Sequence, residues 1–168
     1  MIGKFLNNLM IKFIKWKIFG KNDYVTCEEA IGDLPSLQTD EGDIIYGEEI
    51  QDYLYPIQND YQKRMRANSE KVRNHIGSIP IEKTKFMISL VPEGKNYKAL
   101  PEEYQGIYKY HEALTRYHSK KPSNTINTGH RSHFHYKWNR IPTVRESARL
   151  QSFPDDFIFY GNKSQQYR

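Results

Sequence analysis

Two four-residue stretches of this chain carry the chemistry that starts a helix, and each is closed off within a few residues. In Thr26-Cys27-Glu28-Glu29 and in Thr143-Val144-Arg145-Glu146, the threonine hydroxyl can accept from the backbone N–H three residues on. The glutamate can in turn accept from the threonine N–H. The first helix is expected to stop before Gly32-Asp33-Leu34-Pro35, because proline disfavours helical geometry in the residue before it. The second is expected to run to about Gln151 and to end at Ser152-Phe153-Pro154-Asp155-Asp156. Short capped helices in irregular chain are the predicted architecture.

The rest of the sequence is consistent with that pattern. Residues 36–60 are acidic, contain Gly42, Gly47 and Pro56, and read as surface loop. Residues 60–74 lack Gly and Pro and are polar, which predicts a solvated helix from Asp60 to Asn74. Another short helix is predicted over 82–90, carrying Phe86, Ile88 and Leu90, before the turn at Pro92-Glu93-Gly94. Between 104 and 142, aromatic residues such as Tyr108, Tyr117, Phe134 and Trp138 punctuate short segments. Lys121-Pro122-Ser123-Asn124 and Thr128-Gly129 break this stretch, as in strands and loops. Phe157 to Tyr160 reads as a buried strand or extended segment, and Ser164 as the cap of a last helix.

At the N-terminus, Lys4, Asn8, Lys12 and Lys15 share one helical face and Leu6, Leu9, Phe13 and Trp16 the other. Such a helix over 4–19 suits covering a neighbouring apolar surface, and less well a membrane surface. Lysines interrupt its apolar stretch, so it does not read as a signal peptide. No run in the 168 residues approaches the roughly 18 to 20 uncharged apolar residues of a spanning helix. The thirteen Tyr and eight Phe argue against wholesale disorder. A single cysteine cannot form an internal disulfide, which makes a cytoplasmic location the simplest expectation.

The net charge of +5 is unevenly spread. Residues 1–22 hold five Lys and no acid, whereas 23–60 hold eleven acids and no Lys or Arg. Basic residues then dominate to 149, with five of the six His after 101. The pattern divides the chain into a basic N-terminal segment (1–22), an acidic-to-basic helical and loop region (23–101) and a basic, aromatic-rich segment (102–168). The last has the character of a polyanion-facing surface.

Catalytic constellations are sparse. No Gly-rich phosphate loop and no Gly-x-Ser-x-Gly elbow occurs. His130, His133 and His135 lack a neighbouring Cys or carboxylate, so no metal site is expected. Cys27 lies in a helix first turn, but Glu28 and Glu29 beside it oppose thiolate formation, so it reads as structural. The segment from Thr128 to Arg140 is richest in recognition chemistry. Arg131 and Arg140 could fork onto guanine or phosphate, Asn139 could pair with adenine, and Thr128, His130 and Lys137 could hold phosphate.

Arg140-Ile-Pro-Thr-Val-Arg-Glu-Ser-Ala-Arg-Leu-Gln-Ser-Phe-Pro-Asp-Asp-Phe157 resembles the motif near the C-terminus of bacterial DNA (cytosine-5) methyltransferases. Lys121-Pro122-Ser123-Asn124-Thr125-Ile126 resembles the stretch that closes their target-recognition domain, and Thr26 to Pro35 the segment after their catalytic half. The resemblance covers roughly 24–168. It implies an α+β fold: a small mixed β-rich target-recognition lobe with short helices, part of a larger α/β methyltransferase. It also implies double-stranded DNA as partner, with Lys121 and Thr125 joining the DNA-contacting residues above. Arg145 and Glu146 match the family's Arg-Glu pair, which implies a structural brace.

Other family features do not occur. The Pro-Cys-Gln nucleophile, the Glu-Asn-Val motif and the cofactor loop are missing from this sequence, and so is the Gly-Asn-Ala-Val-Pro-like helix that follows the C-terminal motif. Methyl transfer to cytosine C5 needs a thiolate at C6 and a sulfonium donor held in line. The expectation is therefore a partial methyltransferase of the restriction–modification type. It would supply target recognition without a catalytic residue and bind no cofactor alone, the complete enzyme using S-adenosylmethionine. Two origins fit: a split enzyme in which a separate catalytic subunit supplies the rest, or, as the favoured expectation because the catalytic lobe and the terminal helix are both missing, the remnant of an interrupted gene. Alternatives are a non-catalytic DNA-binding protein and an inert gene remnant. Exposed apolar surface is expected at Leu150, Phe153, Phe157 and Phe159, where a catalytic lobe would pack.

Overall fold

The computed structural model describes residues 24–38, 43, 45–108, 113–126 and 132–168. The helix expected over 4–19 and the break at Thr128-Gly129 lie outside them. The chain forms a small mixed α/β structure of short helices and two-stranded sheets.

Helix α1 (Cys27–Ile31) starts as its capping box dictates. Thr26 Oγ1 accepts from the Glu29 N–H at 3.3 Å, and Glu29 Oε2 accepts from the Thr26 N–H at 2.9 Å. The helix buries Cys27, Ala30 and Ile31. Strand β1 (Ile50–Gln51) pairs antiparallel with β2 (Val72–Arg73), and α2 (Asp60–Met65) lies between them in sequence. The helix predicted to Asn74 thus ends nine residues early. Val72 is a β-branched residue that the core takes in completely, and Asn74 adopts φ 59°, so tertiary packing overrides a weak helical preference.

Helix α3 (Glu82–Ser89) falls where predicted. A 3-10 turn (Tyr97–Ala99) and α4 (Glu102–Gln105) follow, then β3 (Thr115–Arg116) and β4 (His133–Phe134), which pair in parallel. Segment 94–97 lies alongside β3, with Gly94 N–H donating to Tyr117 O, Arg116 N–H to Lys95 O and Tyr97 N–H to Ala113 O. The expected β-rich lobe is therefore sparse: among the described residues it consists of two-residue ladders and this irregular edge.

Helix α5 (Val144–Leu150) opens on the second capping box, Thr143 Oγ1 accepting from the Glu146 N–H at 3.1 Å. It ends in a Schellman motif: Ser152 N–H donates to Arg149 O and Phe153 N–H to Ala148 O. Ser152 sits at φ 66°, a left-handed conformation that costs a non-glycine residue roughly 1 kcal/mol. The following segment, 157–160, is extended as expected, pinned at Phe159 by both ends of the Asn74 amide at 2.7 and 3.0 Å. It is not buried: Phe157 is 47% exposed and Tyr160 80%. Helix α6 (Lys163–Gln166) is capped by Asn162 rather than Ser164, because Asn162 and Gln165 form a reciprocal box.

The apolar residues collect in two clusters. One joins α1 and α2 through Ala30, Ile31, Leu34, Tyr61, Met65 and Val72, with Leu150 of α5 against it. The other gathers Met87, Ile88, Val91, Leu100, Leu114 and Phe134. Among the described residues no helix is long and apolar enough to cross a membrane.

Candidate nucleic-acid interface

Helix α5 carries three charged side chains that are buried, and their partners explain how the C-terminal motif is held. Arg149 is the hub. Its Nε and Nη2 donate to the two Asp155 oxygens at 2.6 Å, and Nη1 donates to Asp33 Oδ1 and to Ala30 O, both at 3.0 Å. All three ionic side chains are fully buried. Burial alone would lower the Arg149 pKa, but the Asp155 and Asp33 carboxylates outweigh it and hold the guanidinium charged. This ties α5 to the end of α1. Tyr53 donates a short hydrogen bond to Asp155, and Tyr61 donates one to Arg149 O, so the region after β1 and α2 are tied into the same hub.

The neighbouring pair is Arg140 and Glu146. Arg140 donates from Nη1 and Nη2 to both Glu146 oxygens at 2.7 and 2.6 Å, a two-pronged bond in which both side chains are buried. Burial would raise the Glu146 pKa, yet the Arg140 charge and hydrogen bonds outweigh it and hold the carboxyl well below its usual range. Arg145 points elsewhere. It donates to the carbonyls of Arg73, Pro154 and Phe157 at 2.7–3.0 Å, which fixes the chain on both sides of the motif. Arg145 and Glu146 are thus both buried structural groups, but each braces a different partner rather than the other.

Two buried imidazoles complete the frame. His75 donates from Nε2 to Pro35 O and accepts from Thr143 at Nδ1, both at 2.8 Å. His135 accepts the Lys137 and Trp138 N–H groups at Nδ1, at 3.0 and 3.2 Å, so the ring is neutral with its proton on Nε2. Burial, with the Arg140 charge acting the same way, pulls its pKa down to about 3 despite Glu146 at 3.7 Å. Arg116 of β3 plays the same structural part at a helix end: it donates to Ile88 O and Val91 O, at the C-terminus of α3, and to Asn139 Oδ1.

The residues expected to contact DNA therefore separate into groups. Arg140, expected among the DNA contacts, is 1% exposed and clasped to Glu146. Asn139 is half-buried, and its carbonyl oxygen accepts from Arg116 at 2.6 Å. Lys121 and Thr125 are exposed, and Lys137 is exposed with its Nζ 4.5 Å over the Trp138 ring. Thr128, His130 and Arg131 lie outside the described residues. Arg149, Asp33, Asp155, Arg116 and His75 were not anticipated. One signal was available: Arg145 and Arg149 are four apart on one helical face, an unfavourable pair on a solvated helix, which implies buried acceptors.

Cys27 is wholly buried, and burial pushes its thiol up to about 12. Among the described residues no group of three or more His, Cys, Asp or Glu could hold a metal ion. The Phe153, Phe157 and Phe159 rings cluster at centroid separations of 4.9–5.8 Å, with Phe153 and Phe157 exposed.

Comparison with known proteins agrees with the motif. The family described as C-5 cytosine-specific DNA methylase matches residues 5–168. The chain belongs to this cytosine-C5 methylase family. The match starts well before Thr26, where the recognisable motifs begin. Among its methylase relatives, the type II methyltransferase M.DdeI of Desulfomicrobium norvegicum is 32% identical over 155 residues, covering 86% of this chain and 36% of that protein. The type II methyltransferase M1.HphI of Haemophilus parahaemolyticus is 35% identical over 141 residues, covering 84% and 31%. The chain thus spans about a third of the length of these relatives. A crystal structure of a prophage-encoded DNA modification methyltransferase from E. coli has the same fold over 88% of this chain and 42% of its own, with TM-score 0.57 and 17% identity.

The family implies S-adenosylmethionine for the full enzyme, and among the described residues no Gly-rich loop gathers to cradle it. The positive-φ glycines, Gly47, Gly94 and Gly161, stand alone in separate turns rather than in one loop. The cavity beside α5, about 190 Å³, has Arg168 and no acidic side chain in its lining.

Proposed function

We propose that this chain is the target-recognition part of a DNA (cytosine-5) methyltransferase of the restriction–modification type. It grips double-stranded DNA, while a separate catalytic subunit supplies the thiolate and the cofactor site. The observation that carries the reading is the state of the single cysteine. A nucleophile must be exposed and partly ionised, whereas Cys27 is buried, raised in pKa and placed outside any Pro-Cys-Gln segment. What the chain offers instead is a rigid, ion-paired frame that carries an exposed basic surface and an exposed phenylalanine cluster. The cluster is where the catalytic subunit packs.

Lys121, Thr125 and Lys137, with Thr128, His130 and Arg131, contact the duplex; Arg140, Arg145 and Glu146 brace the lobe that carries them. A salt titration of binding to a labelled mixed-sequence duplex tests this. Neutralised phosphates release counterions, so log affinity falls linearly with log salt, by about 0.9 per phosphate contact. A steep negative slope is expected. A slope near zero overturns DNA gripping and leaves an inert remnant as the better account.

A further inference from the structure

A groove of about 420 Å³ lies beside segment 94–97, and every charged side chain in its lining is a lysine. Lys95, Lys98, Thr115 of β3 and Asn124 are among its lining residues. We propose that this groove is a seat for the sugar–phosphate backbone of duplex DNA, with Lys95, Lys98 and Asn124 as its contacting residues. The inference rests on the DNA-gripping reading and extends it to residues outside the 121–140 stretch.

The groove is rigid where it needs to be. Three backbone hydrogen bonds of 2.8–3.3 Å, from Gly94 to Tyr117, Arg116 to Lys95 and Tyr97 to Ala113, hold the lysine-bearing segment along β3. Gly94 is required at its head: φ is +71°, and a Cβ there would sit 2.7 Å from the His118 ring. The lysines are presented by backbone that is already ordered, so binding costs less chain entropy than with a free loop.

The charge is placed for an anion. Some other surface lysines meet carboxylates, Lys120 with Glu28 and Lys71 with Asp52. Lys95 and Lys98 are exposed, with no carboxylate partner among the described residues, and no acid lines the groove. The nearest acid in sequence, Glu93, is turned away: its carboxylate accepts the Ser119 N–H and faces His118 at 3.5 Å. Ammonium groups beside an amide are the donor set of phosphate contacts, which fix register without reading sequence.

The test is the same salt titration applied to the double substitution K95Q/K98Q, with thermal unfolding followed in parallel. Both side chains are exposed, so the unfolding midpoint should not move. The slope of log affinity against log salt should become shallower by about 2, and affinity at about 0.1 M salt should fall roughly tenfold or more. If the unsubstituted chain gives a steep slope and the variant the same slope, the groove is not a phosphate seat and the wider reading stands. A flat slope for the unsubstituted chain overturns both.

Discussion

Replacing Arg149 with methionine should destabilise the protein by about 3–5 kcal/mol, enough to unfold much of the population. The substitution keeps apolar volume along the helix but removes every donor that Asp33 and Asp155 receive from that guanidinium. Both carboxylates are fully buried, so each would be left as a charge in a medium that solvates it poorly. Arg66 at 3.3 Å gives Asp33 partial relief, and Arg145 at 3.7 Å does the same for Asp155. Neither replaces a two-pronged bond. Chemical denaturation of the unsubstituted protein and the variant measures the loss directly. A loss below about 1 kcal/mol, the value typical of exposed ion pairs, would show that the hub does not hold the fold together.

Acidification should weaken the protein well before ordinary carboxylates titrate. His135 is held neutral, its pKa pulled from 6.5 down to about 3, and burial lowers His75 in the same direction. Below about pH 6.5 the unfolded chain takes up protons that the folded chain excludes, so stability falls as pH drops from there towards 3. The slope approaches 1.4 kcal/mol per pH unit for each histidine. Glu146 adds to this at lower pH. Its folded pKa is depressed below the usual 4.5, so its contribution is present above that value and is lost as pH falls beneath it. Urea unfolding at about pH 7.5 and about pH 5 should differ by roughly 2–4 kcal/mol in favour of the higher pH. Equal stability at the two values would mean that both rings take up protons in the native state.

Local chemistry in the sequence was a good guide to where helices begin. Both threonine capping boxes formed, because each needs only four consecutive residues. Tertiary structure decided what local pattern could not. Residues 60–74 carry no helix breaker, yet Val72 leaves the helix to fill a core position and pair with Gln51. Asn162 rather than Ser164 caps α6, since the reciprocal partner Gln165 stands three residues after Asn162.

The candidate site divides in the same way. The motif at 140–157 revealed the family, and it drew attention to Arg145 and Glu146, both of which are buried. Which base meets which acid was not legible, because Arg140 reaches Glu146 six residues on, while Arg149 reaches Asp33 more than a hundred residues back. Arg140 and Asn139 look like DNA-reading residues by type alone. Only the folded structure places Arg140 on a carboxylate and the Asn139 oxygen on Arg116.

Under the proposed function, these residues hold DNA without owning the sulfur that attacks the cytosine ring. The most direct measurement is to incubate the purified chain with S-adenosylmethionine and a duplex carrying a 5-fluorinated cytosine, which traps the attacking thiolate, and then weigh the protein. The mass should be that of the free chain. A stable adduct of protein and DNA, mapped to Cys27, would contradict the account.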